Sequence, residues 1–187
     1  MRLRLFALLL SIAAVAPLMS ACEDNGFLTD VIISQDTVTV GLPGSGRRSA
    51  LDLARTTLGA PLLRAPETLA DAGEWDVGLR RSEAGVFSLR PNPLTGSQFR
   101  AAGIALSTTA FDNLEKAPRS TSDYSTEPVT LTVGNTYVLR SRQFAAGFSV
   151  CHKYAAVKVM ALDQAAGTAE LAIKINENCD DERLQDD

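Results

Sequence analysis

Few residues in this chain could run chemistry. His152 is the only histidine, and Cys22, Cys151 and Cys179 are the three cysteines. A nucleophilic pair needs a thiol or hydroxyl beside a base, and His152 adjoins Cys151. If that thiol is oxidised the pair is structural, and a histidine-based triad has no other member, so no enzyme is expected. Arg80 and Arg81 with Arg90 would make a small anion site on one sheet face, or pair with Asp76 and Glu83. Gly41-x-x-x-x-Gly46-Arg47-Arg48-Ser49 approaches a phosphate loop. It has arginine where the lysine belongs and displaces the hydroxyl by one, so a glycine-rich turn is the better reading. Asp180-Asp181-Glu182 and Asp186-Asp187 lack the spacing and glycine of a calcium loop. No metal site is expected. His152, Arg80 and Tyr154 remain as the candidate ligand-contacting residues.

The cysteines divide by position. Cys22 stands at the end of an export signal, described below, which leaves Cys151 and Cys179 as an even pair in an oxidising compartment. The strand pattern supports a bond between them independently. Tyr154–Leu162 and Ala169–Ile175 flank a turn, Asp163 to Thr168, with glycine at a position suited to positive φ. If Asp163 lies opposite Gly167, Cys151 lies opposite Cys179 at the open end of the hairpin. No Cys-x-x-Cys is present, so a thioredoxin-like role is not expected.

The elements that hold these residues read as strands. The chain has 187 residues, 45% hydrophobic and 21% charged, which fits one globular domain rather than a disordered chain. Val31–Ile33 and Thr37–Val40 are β-branched runs. Ser49–Leu58 is ambiguous: Ser49 and Asp52 suggest a helix cap, while Leu51 and Leu53 alternate as in a strand. Pro61, Pro66 and Gly73 mark a looping connection. Trp75, Val77 and Leu79 share one face, with Asp76 and Arg80 on the other. Phe87 and Leu89 continue as a partner strand. Residues 94–128 read as loop, with a short helix near Ser97–Ile104. Val129–Val133, Tyr137–Arg142, Tyr154–Leu162 and Ala169–Ile175 are four further strands. The predicted fold is all-β, an antiparallel β-sandwich or flattened barrel with long loops and little helix. Trp75 is expected in its core. The domain would span 31–176, and 177–187, with six acids and one arginine, would be a solvated acidic tail.

Residues 1–21 carry Arg2 and Arg4, an apolar run from Leu5 to Ala16, then Ser20-Ala21-Cys22. The run is too short for a bilayer core that needs about 20 residues, but it suits a signal peptide. Met19-Ser20-Ala21-Cys22 resembles the bacterial lipobox. That resemblance implies cleavage before Cys22, lipidation of Cys22, and a membrane partner reached through the acyl chains, with 22–30 as tether. Glu23 is not the aspartate that signals inner-membrane retention, which favours the outer membrane of the cell envelope. Removing Arg2 and Arg4 from 18 basic residues leaves 16 against 22 acidic ones, a net −6. Nucleic acid is therefore not an expected partner.

Trp75-Asp76-Val77-Gly78-Leu79-Arg80-Arg81 resembles a strand of the HmuY-like haem-binding lipoproteins. Phe111-Asp112, Ala117-Pro118, Tyr124, Tyr137–Arg142 and Lys153–Val159 follow in the order of that family, over about residues 50–176. The resemblance implies an all-β cell-surface lipoprotein and, as an alternative function, a haem or porphyrin carrier. That family holds iron with two histidines or with histidine and methionine. Here the pair would be His152 and Met160, which one strand would separate by about 26 Å. No cofactor is therefore expected, and haem is kept as the alternative. The leading expectation is an envelope lipoprotein with a binding or structural role, its partner an envelope protein or a small hydrophobic ligand.

Overall fold

The structure, a computed structural model, describes residues 30–57, 60–66, 68, 73–93, 101–147 and 149–185. The export signal, Cys22 and most of the tether lie outside them, as do Ser97–Arg100. Alternation of apolar side chains governs the strands. The ambiguous stretch near Ser49 is strand β2 (Ala50–Thr57), with Leu51 and Leu53 fully buried, so alternation prevails over the cap signal. Of the two β-branched runs before it, Thr37–Val40 and the last residue of the first, Ile33, lie in one strand, β1 (Ile33–Gly41), while Val31 and Ile32 precede it; β12 (Thr168–Asn176) pairs with β1 along its whole length. β4 (Val77–Arg81) and β5 (Phe87–Pro91) form the expected hairpin.

Two segments expected to be loop are strands, and the second overlaps the end of the short helix expected near Ser97–Ile104, whose described residues are not helical. β3 (Ala60–Arg64) contains Pro61, which is tolerated because β3 is an edge strand. β6 (Gly103–Ser107) pairs with β8 (Thr136–Arg140). Its Gly-Ile-Ala-Leu-Ser sequence is poor in β-branched residues, and the glycine is needed for close approach: a Cβ on Gly103 would lie 2.6 Å from Tyr124 Cβ. β7 (Val129–Thr130) is short, and β9 (Phe144–Ala146) and β10 (Ser149–Cys151) form a separate two-stranded ribbon that the sequence reading did not anticipate. Among the described residues the only helical turns are two 3₁₀ turns, Phe111–Asn113 and Thr121–Asp123.

All pairings are antiparallel, in one five-stranded sheet ordered β1-β12-β11-β8-β6 and another ordered β3-β2-β4-β5-β7, where β11 is Tyr154–Asp163. Val157, Val159, Leu171, Ile173 and Tyr137 from the first sheet meet Leu51, Leu53, Val77, Leu79, Phe87 and Leu89 from the second. This is the β-sandwich the pattern predicts. Tyr137 also ties the turn before β8: its hydroxyl donates to Thr130 O at 2.9 Å and accepts from Thr132 N at 3.0 Å, a tyrosine corner.

The β11–β12 register differs from expectation at the turn and agrees beyond it. Asp163 pairs with Thr168, not with Gly167. A bulge between Val159 and Ala161 absorbs the one-residue difference, so Val159 pairs with Leu171 and Tyr154 with Asn176. The expected opposition of the cysteines thus survives because two offsets cancel.

Trp75 is buried but is placed differently from expectation. Its ring covers Gly78, where a Cβ would come within 3.2 Å of Cζ3, on the face away from Val77 and Leu79. The C-terminal segment is not a solvated tail as far as Gln185. Leu184 is fully buried, its N–H donates to Glu115 O, and Ala117 N donates to Glu182 O at 2.8 Å.

Candidate functional site

The outer face of the first sheet carries the candidate site. Along β12, Leu171, Ile173 and Ile175 point into the sandwich, so Ala172, Lys174 and Asn176 point outward. A lysine there should reach water. Instead Phe111, Leu114, Ala117 and Tyr124, from the connection between β6 and β7, cover this face together with Leu184. Lys174 is left 2% exposed. Its ammonium donates to Leu114 O at 2.8 Å and stands 5.3 Å from the centroid of the Phe111 ring. Burial holds the Lys174 amine below the usual lysine range, against a smaller opposing pull from Asp112.

Beside Lys174 opens a cleft of about 300 Å³. Ile33, Phe111 and Leu184 line it with apolar surface, and Gln35, Asp112 and Gln185 with polar groups. Its size is at the lower end for small-molecule sites. The C-terminal segment supplies part of this wall and is held by side chains of its own. Asn176 Nδ2 donates to Arg183 O at 2.8 Å, and Arg183 clamps Asp181, with Nη2 to Oδ2 at 2.7 Å. That clamp lowers the Asp181 carboxyl to about 2.

A second polar cluster is buried at the other sheet. Asp52 and Asp76 side chains are both 0% exposed. Arg142 Nη1 donates to Asp52 Oδ1 at 3.1 Å and to Asp76 Oδ1 at 3.0 Å. Asp76 also accepts from Arg142 N at 2.7 Å and Leu53 N at 2.6 Å, and Arg64 Nη2 donates to Asp52 Oδ2 at 3.0 Å. Burial pushes the Asp76 carboxyl up, with Arg142 the chief counterweight. Burial opposes the charge on Arg142, but the two carboxylates outweigh it and raise its pKa. Each formal charge has a partner, and the cluster joins a residue just beyond β8 to β2 and to the residue before β4. Its chemistry is that of a structural tie.

The residues singled out by sequence do not converge. Cys151 and Cys179 are bonded, with Cα atoms 5.4 Å apart. His152 is buried beside them, and its N–H donates to Asp180 Oδ1 at 2.8 Å. Its ring Nδ1 lies 2.7 Å from Ser141 O, so Nδ1 carries the proton, since a carbonyl only accepts. Met160 sits at the bulge of β11, 46% exposed. Tyr154 faces outward on the first sheet, its ring 6.4 Å from that of Tyr124. Arg80 is on the second sheet and donates to Leu79 O at 3.3 Å. The anion site drawn from neighbouring arginines is divided: Arg81 reaches Gln164 O at 2.9 Å on the opposite face from Arg80. The partner expected for Arg80, Asp76, belongs to Arg142. The loop Gly41–Ser49 leads from β1 into β2, not into a helix.

Sequence reading missed Lys174 and Arg142. Ala-Ile-Lys-Ile-Asn reads as an ordinary half-exposed strand, and nothing local says that a segment 60 residues away will cover it. The available signal was Phe111, Leu114 and Tyr124, apolar residues in a stretch taken for loop. Comparison with protein families, with curated proteins and with solved structures finds no match to this chain.

Proposed function

We propose that this is a lipid-anchored protein of the cell envelope, on the outer membrane, that works by binding rather than by catalysis. The observation that carries the reading is cysteine usage. Cys151 and Cys179 are joined, which suits an oxidising compartment, and the one cysteine left over, Cys22, follows an apolar signal and two small residues. Two or three acyl chains at ~0.8 kcal/mol per buried CH₂ would hold the sandwich at the membrane nearly permanently. A binding role is supported by the cleft beside Lys174, while the sole histidine is turned to a carbonyl and its neighbour is a disulfide. No helix among the described residues is long and apolar enough to cross a membrane.

Metabolic labelling with a palmitate analogue, followed by membrane fractionation, tests the anchor. Wild-type protein should carry label and sediment with the outer membrane, and Cys22→Ala should carry none and either remain unprocessed or appear in the soluble fraction. Unlabelled wild-type protein, or labelled Cys22→Ala, would overturn the reading.

A further inference from the structure

The geometry points to the cleft beside Lys174 as a site for the carboxylate of a small organic acid. The described lining of the cleft holds one cation, almost wholly withdrawn from water, and no described residue neutralises it by contact. An ammonium has three donors. The described partners of Lys174 are one carbonyl, Leu114 O at 2.8 Å, and the face of the Phe111 ring at 5.3 Å. Neither carries formal charge, and Asp112 acts on the amine only through space. A buried charge left in this state is costly unless something pairs with it. A carboxylate entering the cleft would do so with a charge-assisted hydrogen bond, which is stronger than a neutral one. Gln35 and Gln185 add amide donors to the lining, and Ile33 and the edge of Phe111 offer apolar surface for the rest of the molecule. The cleft of about 300 Å³ limits that remainder to something the size of a single ring or a short acyl chain.

The exposed carboxylate of Asp112 on the same lining separates two sources of the ligand. A plain monocarboxylic acid would meet it as a like charge. An α-amino acid would meet it with its own ammonium. The carboxylate at Lys174 is common to both.

This inference rests on the reading of the chain as a binding protein, and its test leaves the anchor untouched. Benzoate and benzamide are titrated into the full-length protein in detergent micelles and followed by calorimetry, with phenylalanine and its amide as the second pair. Each acid should bind at one site, at least about tenfold more tightly than its amide, the discrimination expected when a hydrogen bond to a charged group is lost. Benzoate ahead of phenylalanine would identify a plain acid; the reverse order, abolished by Asp112→Asn, would identify an amino acid. Lys174→Met keeps the length of the side chain and should remove the preference for acid over amide. Should that variant not fold, Asp112→Asn still decides, because loss of a neighbouring like charge should strengthen benzoate binding severalfold. Acid and amide binding alike, no saturation of either acid by about 10 mM, or benzoate affinity unmoved in both variants would overturn the site. A failure here with Cys22 still lipidated would leave the anchor standing and remove only this cleft.

Discussion

At the scale of single residues, the most consequential side chain is Arg142. It is the cation shared by Asp52 and Asp76, both sealed from water. Arg142→Ala leaves two buried carboxylates facing one another, with Arg64 still paired to Asp52. Breaking a buried pair from one side costs about 3–5 kcal/mol, a large part of a domain's stability, and urea denaturation should show a loss of that order. Arg55→Ala removes a surface bridge to Glu74 whose arginine is 60% exposed, and it should change little. Asp181 gives a pH signature. Its carboxyl is held at about 2 by Arg183, below the ordinary value of about 3.9. A depressed acid stabilises the folded state above its unfolded pKa, and that contribution disappears as pH falls from about 4 toward 2. Docking of the C-terminal segment, followed by hydrogen exchange at Leu184 N–H, should weaken across that window. In Asp181→Asn the loss should already be present at neutral pH, with the acid step gone.

At the scale of elements, the β11–β12 hairpin combines a bulge and a disulfide. The bond closes a loop with a sequence separation of 28 residues. The chain-entropy account puts its loss at roughly 3–4 kcal/mol, so Cys151→Ser with Cys179→Ser should lower the melting temperature by several degrees, measured by calorimetry with and without reductant. The bulge makes a sharper test of register. Met160 is the unpaired residue between Val159 and Ala161, and its side chain is half exposed. Deleting it leaves every other partner and every inward face unchanged, so the variant should fold and still form the Cys151–Cys179 bond, read by non-reducing peptide mapping. A deletion within the regular part of the strand, such as Ala156, would send Tyr154 and Ala155 to the wrong faces and should not be tolerated. Strand identity here was legible because Val157, Val159, Leu171, Ile173 and Ile175 alternate without interruption. The bulge was not, because a one-residue offset leaves no mark on composition.

At the scale of the whole molecule, two apolar layers share one sheet. The inner layer joins the two sheets, and the outer one lies beneath residues 111–124 and Leu184. Leu184 belongs to the last described stretch of chain, so a segment that looks dispensable closes the outer layer. Leu184→Ala should cost about 2–5 kcal/mol, the usual range for a buried leucine. Truncation after Glu182 should bare the surface around Phe111, Leu114 and Tyr124, and binding of an apolar dye by the truncated chain but not by the intact one is the expected result.

Period-two alternation and turn residues by themselves determined the all-β class, most strands and the pairing of Cys151 with Cys179, because each depends on neighbours a few positions apart or on one hairpin. For residues 1–22, local composition supplies the expectation of export and lipidation on which the proposed function rests. Only the tertiary structure decided which polar side chains are sealed from water. Asp52, Asp76 and Lys174 occupy outward parity positions, where the pattern assigns them to solvent. They are buried because Arg142, Phe111, Leu114 and Leu184 arrive from distant parts of the chain to cover them. Burial of an outward-facing residue depends on what packs over the sheet, and strand periodicity carries no information about that cover.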